Sequence, residues 1–166
     1  ARLAADAAPQ LGFRVLGAIP LGQSAYCEQM RQAAGALPRL IWDLGRSDEA
    51  VAQRLAETGF LYLDYPDGAS ERRGTLLAAL GNGAVVITNR GPQTPPGLES
   101  VVRFATGPAD ALAQVQALRA DPTAETNLRR AGREWVKRQA WEVIAAAHRE
   151  LYAQIARRSM RDEQRP

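Results

Sequence analysis

The chain is predicted to be an α/β domain, a Rossmann-like parallel sheet with helices on both faces and a long helical segment at the C-terminus. Three observations predict it. Short apolar runs alternate with stretches of helical periodicity, the order that feeds a parallel sheet. Those runs are solidly apolar, as strands covered on both faces are, and do not alternate with polar residues. From Thr123 to Arg158 the helical pattern continues with no further strand. The 166 residues, 46% of them apolar, suit one domain with a real core. The expected organisation is a lead-in over residues 1–10, the domain over 11–158 and a polar tail over 159–166.

The elements follow in order. "FRVLGAI" (Phe13–Ile19) is a strand stopped by Pro20 and Gly22. "SAYCEQMRQAAGAL" has apolar residues at helical spacing behind Ser24, a candidate cap. "RLIWDLG" (Arg39–Gly45) is the second strand. In "SDEAVAQRLAETGF" Ser47 offers an N-cap, Asp48 and Glu49 lie in the positive first turn, and Gly59 marks the stop. "FLYLDY" is a third strand, broken by Pro66. A turn leads to a helix from about Thr75 to Leu80, then to the strand "AVVIT". The three prolines of "NRGPQTPPGLES" exclude regular structure there. "VVRFAT" is a fifth strand. "GPADALAQVQALRADP" is a helix with Pro108 near its first turn, and Gly132 is a candidate break in the helical segment that follows. Trp135 and Trp141 are expected to be packing anchors.

Composition removes several classes of function. A single cysteine, Cys27, rules out an internal disulfide framework and is expected to be a small buried hydrophobe. His148 is the only histidine, so a Cys/His metal site lacks its ligands, and a serine-type triad would have to use a histidine that lies in a long helical run. No apolar run reaches the ~20 residues of a membrane helix. The net charge is +3, nearly all of it arginine, with Lys137 the one lysine. Charge so spread does not call for a nucleic-acid partner. The chain opens at Ala1 in the middle of a pattern, and the expectation is a piece of a longer protein.

A doubly covered parallel sheet binds ligands at the carboxyl ends of its strands. That rule selects the loops Gly17–Ser24, Gly45–Asp48, Asp67–Thr75 and Asn89–Gly97. The third carries the most chemistry. Pro66 turns the chain out of its strand, and Gly68 and Gly74 permit close backbone approach. Asp67, Ser70, Glu71, Arg72, Arg73 and Thr75 stand at the mouth of the following helix. Unpaired amides there, with two guanidiniums, suit a diphosphate. An ion cluster in which Asp67 and Glu71 neutralise the arginines is the alternative. Gly45 and Arg46 belong either to an ordinary strand-to-helix turn or to a backbone edge that meets a nucleobase. Asn89 and Arg90 either bind polar groups or form a turn. The first loop, "GAIPLGQS", holds no cation.

In three places, taken in order, the sequence resembles the C-terminal, donor-binding half of a GT-B-fold glycosyltransferase of the retaining family-4 type. "WDLGRSDEAVAQRLAETGFLYLDYP" resembles the strand, turn and helix where the nucleobase sits. "DGASERRGTLLAALGNGAVVITN" resembles the donor-phosphate loop, helix and strand, and "RQAWEVIAAAHRELY" the closing helix. The likeness runs from about Gly12 to Tyr152. It departs from the family at two glutamates spaced by seven residues, whose positions fall on Ser70 and Ala78. The basic pair of the first loop is also absent.

The resemblance implies transfer of a sugar, of hexosyl type, from a nucleotide-diphosphate donor with retention at the anomeric carbon. It implies no cofactor and no metal, because protein cations meet the leaving diphosphate. Glu71, Arg72 and Arg73 are then the candidate catalytic residues. Gly45, Arg46, Asp67, Gly68, Ser70, Gly74, Thr75, Asn89 and Arg90 are the candidate donor-binding residues. The partner is an N-terminal domain of the parent chain that holds the acceptor, and the isolated piece is expected to be inactive. A cytoplasmic setting is implied, with peripheral membrane contact open through Arg157, Arg158, Arg161 and Arg165. A non-catalytic partner-binding module that has lost the glutamates is the competing reading.

Overall fold

The computed structural model describes residues 11–19, 21–35, 37 and 39–163. The lead-in over 1–10, Pro20 and the last three residues of the tail lie outside them. The elements run β1 (Phe13–Gly17), α1 (Ser24–Ala34), β2 (Leu40–Leu44), α2 (Asp48–Glu57), β3 (Phe60–Leu63), α3 (Gly74–Gly81) and β4 (Val85–Thr88). A 3-10 turn at Leu98–Ser100, β5 (Arg103–Phe104), α4 (Pro108–Ala120), α5 (Pro122–Lys137) and α6 (Trp141–Glu163) complete the chain.

Every strand pairing is parallel. β1 lies beside β2 with Phe13 opposite Leu40, and β3, β4 and β5 pair in sequence order with Phe60 opposite Val85 and Ile87 opposite Arg103. The hydrogen-bonded ladder is divided between β1 and β3, where a cavity of about 480 Å³ lined by Arg14, Glu57, Thr58 and Leu61 separates the strands. Leu16 of β1 still reaches the core that Leu61 and Leu63 of β3 share.

All four residues of β4 are buried, and it is sandwiched by helices. Val86 points to one face and packs with Leu55 of α2 and Leu76, Ala79 and Leu80 of α3. Its neighbours Val85 and Ile87 point to the other, against Leu118 and Ala111 of α4. This two-residue alternation, apolar in both directions, is why the strand reads as a solid run. α5 contributes Leu128 to the second face and Ala131, Trp135 and Val136 to the first.

Several local expectations are corrected. Ser24 is the first residue of α1 and not its cap; Gln23 holds that place without a side-chain bond. Ser47 does cap α2, accepting from the Ala50 amide at 3.4 Å. β5 shrinks to two ladder residues because the amides of Val101 and Val102 are taken by the Leu98 carbonyl. That same 3-10 turn puts regular structure at the end of the proline-rich loop. Gly132 does not break its helix. A Cβ there would lie 2.9 Å from the Leu80 Cδ2, so glycine lets α5 press against α3. The break comes at residues 138–140, where three successive amides bond three residues back. α6 then runs to Glu163, into the stretch read as tail. Trp141 is 82% exposed and anchors nothing in this domain, whereas Trp135 packs on the core. Cys27 is only partly buried. Among the described residues no helix is long and apolar enough to cross a membrane.

Candidate functional site

The loop from β3 to α3 and the loop after β4 are held together by backbone. The Asn89 side chain accepts from the Tyr65 amide at 2.9 Å and donates to the Tyr65 carbonyl at 2.6 Å. It imitates one more peptide of β4, one rung beyond the pairing of Leu63 with Thr88. The Ala69 amide then reaches the Asn89 carbonyl at 3.2 Å, and the Gln93 amide reaches the Asp67 carbonyl at 3.1 Å. Gly68 has φ +89°, and a Cβ on it would stand 2.3 Å from the Gly91 nitrogen. Only glycine satisfies both the left-handed backbone and the contact.

On this framework Asp67, Ser70, Arg72, Arg73 and Gln93 line a polar cleft of about 330 Å³. Arg73, the residue before the first turn of α3, is half-buried. Its guanidinium is paired with the Asp67 carboxylate and lies 4.9 Å from the centre of the Tyr65 ring. The Tyr65 hydroxyl bonds Thr75 Oγ1 at 2.7 Å, and burial pushes its phenol above the usual value. Arg72 is exposed at the rim, and the described residues offer its guanidinium no acceptor. The cleft thus holds one fixed and one unpaired guanidinium beside the amino end of α3, a geometry suited to an anion with several oxygens.

A second cavity of about 270 Å³ opens at the carboxyl ends of β1, β2 and β3. Leu16, Val51, Leu61 and Leu63 make its apolar walls, and Gly17, Ala18, Arg46, Asp48, Thr75 and Ala78 also line it. An apolar slot with polar groups at the edge suits a flat, ring-shaped ligand. Thr75 belongs to this cavity and bonds the tyrosine under Arg73, so the two spaces adjoin across the start of α3.

The residues singled out in the sequence are therefore dispersed. Asp67, Ser70, Arg72 and Arg73 share the polar cleft; Arg46 and Thr75 line the apolar cavity. Gly68 and Gly45, the latter at φ +68°, shape turns. Gly74 opens α3. Glu71 is exposed and lines neither space. Asn89 differs from its expected role, since both ends of its amide are used on Tyr65. Arg90 pairs with Glu99 at 3.3 Å and covers the Phe104 ring at 4.2 Å, away from both cavities.

Sequence reasoning missed Gln93 and Asp43. Asp43, at 2% exposure, is a buried acid in an otherwise apolar strand. Arg14, Arg46 and Arg54 all bond its carboxylate, Arg54 Nε at 3.1 Å. The Arg46 hydrogen bond, with that from Arg14, holds its carboxyl below the ordinary value in spite of burial. A lone Asp inside "LIWDLG" was the available signal, because a buried charge requires partners.

No family model matches the chain, and no curated protein matches it. Among solved structures it is similar to Anabaena Alr3699/HepE, determined in complex with UDP, with a TM-score of 0.64 and 13% identity. The likeness covers 89% of this chain and 42% of that one, so the chain spans less than half the neighbour's length. At that identity the shared property is the fold.

Proposed function

We propose that this domain binds the nucleotide-diphosphate sugar donor of a glycosyltransferase. The observation that carries the reading is the adjoining pair of cavities, one apolar and one rich in guanidinium, at the carboxyl ends of parallel strands. A nucleobase fits the first and a diphosphate the second. The fold shared with a protein solved in complex with UDP is consistent with it.

In the proposed reaction the bond between the anomeric carbon and the donor phosphate oxygen breaks. The nucleoside diphosphate leaves with added negative charge, and an acceptor hydroxyl forms the new glycosidic bond and gives up its proton. Arg72 and Arg73 face the leaving group, where fixed cations lower the barrier most. Glu71 is the acid nearest to them in the chain. The scheme calls on no metal. GT-B architecture, the retaining family-4 subtype, hexosyl transfer, and an N-terminal domain that brings the acceptor belong to the same proposal, as does inactivity of this piece alone. So does peripheral membrane contact through the basic C-terminal end, checked by sedimentation with anionic vesicles, where absence of binding at low salt removes it.

Calorimetric titration with UDP, GDP and ADP tests the core of the proposal. One of them is expected to bind, and Arg72→Ala with Arg73→Ala is expected to weaken it at least tenfold, since hydrogen bonds to charged groups contribute about 1.5–3 kcal/mol each. No binding of any of the three at millimolar concentration overturns it. A second reading is favoured by Ser70 and Ala78, which stand where the resemblance expects carboxylates. It is a donor-binding or regulatory domain without catalysis. A full-length parent that binds nucleotide sugar yet neither transfers nor hydrolyses the sugar would select it.

A further inference from the structure

The loop after β1 has no cation in the stretch Gly17–Ser24, yet it forms one wall of the apolar cavity through Gly17 and Ala18. The positive charge on that side comes from β2. Arg46 lies two residues past the end of the strand, is 57% exposed, and lines the same cavity as Ala18 and Thr75. Its Nε is bound to Asp43 Oδ1, which directs the planar guanidinium. Among the described residues no acceptor takes its two terminal nitrogens.

The charges around Asp43 are unequal. Asp43 Oδ2 takes both Arg14 and Arg54, and Arg54 also donates to Glu57 at 2.9 Å. At the cluster itself three guanidiniums face two carboxylates, and a third carboxylate, Asp48, stands on the cavity rim. Glu57 sits beside Arg54 and near Arg14, so those two share their acceptors, whereas the terminal nitrogens of Arg46 have none among the described residues. Asp48, exposed in the first turn of α2, faces the cavity too. A carboxylate there is an acceptor suited to hydroxyls and not to phosphate. The rim therefore offers one anion-binding fork and one hydroxyl acceptor, the polar pattern of a ribose bearing a phosphate.

We infer that Arg46 is a phosphate-binding residue of the nucleotide site and that buried Asp43 is its positioning residue. The inference rests on the proposed function and adds to it a cation source from β2 that replaces the one missing from the first loop. Asp43 is too deeply buried to touch a ligand itself and acts by keeping Arg46 in one rotamer.

The test compares UDP, GDP and ADP with the corresponding nucleosides by calorimetry, using the wild-type domain and four variants. Arg46→Ala is expected to weaken the bound nucleoside diphosphate roughly tenfold, the value of one charge-assisted bond, and to leave nucleoside affinity within about twofold. Arg46→Lys recovers only part, because a point charge replaces a fork. Asp43→Asn is expected to weaken the diphosphate several-fold with nucleoside affinity unchanged. Arg54→Ala removes another of Asp43's partners without touching the cavity, so it is expected to lower thermal stability and leave both affinities alone. Equal diphosphate affinity in wild type and Arg46→Ala overturns the inference while the nucleotide-binding reading stands. Absence of nucleotide binding by the wild type overturns that reading and the inference with it. If Asp43→Asn does not fold, the Arg46→Ala and Arg54→Ala pair still decides.

Discussion

At the residue scale the site depends on a few positions with no freedom to change. Gly68→Ala is expected to cost about 1–3 kcal/mol from its left-handed backbone alone, and the Cβ contact with Gly91 adds to that. Gly83→Ala shares a positive φ of +82°, but its Cβ meets the guanidinium of Arg133, which can swing aside. Chemical denaturation should therefore show the larger loss at Gly68; the reverse order would mean that the two loops are not locked together. Asp43 gives a pH signature. Its folded pKa lies below the unfolded value of about 3.8. The stability it contributes is therefore present above that value and disappears as pH falls through the folded pKa. The difference in melting temperature between wild type and Asp43→Asn should be constant near neutrality and shrink in acid below pH 3.8; a gap that widens in acid contradicts the assignment. Of these positions, Gly68 was legible in the sequence from its place in a turn. Asp43 was not, because its three arginines are 3 to 29 residues away and only the fold brings them together.

At the element scale, caps and apolar runs carried most of the information. Ser47 ahead of "DEAV" and Pro108 in a first turn marked helix starts that the chain uses; Pro122, read as the end of one helix, opens the next. The boundary between α5 and α6 left no such mark. Residues 138–140 are Arg, Gln and Ala, each a good helix former, so local propensity does not announce the turn. Gly132 was misleading for the same reason: a tertiary contact, not local propensity, accounts for it. Gly132→Leu should then destabilise by about 1–3 kcal/mol through overpacking against Leu80, read from the denaturation midpoint. A helix break at Gly132 would give the opposite sign, since leucine is the better helix former by several tenths of a kcal/mol.

At the scale of the whole molecule the two halves of the sheet differ in how well they are covered. β4 is wholly buried between helices, whereas α1 has no buried residue, and Leu21, Tyr26 and Ile41 around it are exposed. The apolar hollow between α1 and strands β1 and β2, about 700 Å³, contains the partly buried Cys27. Amide hydrogen exchange should accordingly be slowest in β4 and markedly faster in β1, β2 and α1; uniform protection would show that the halves unfold as one. The loop between β3 and α3 belongs to the well-covered half, and the Asn89 amide fastens its first residue. A side chain that completes a ladder bond does not care what sequence comes after Tyr65. The freedom that follows is confined to residues 70–73, because the Asp67 carbonyl, Gly68 and the Ala69 amide are tied to the neighbouring loop; side chains grafted at those four positions would leave the departure from the strand unchanged.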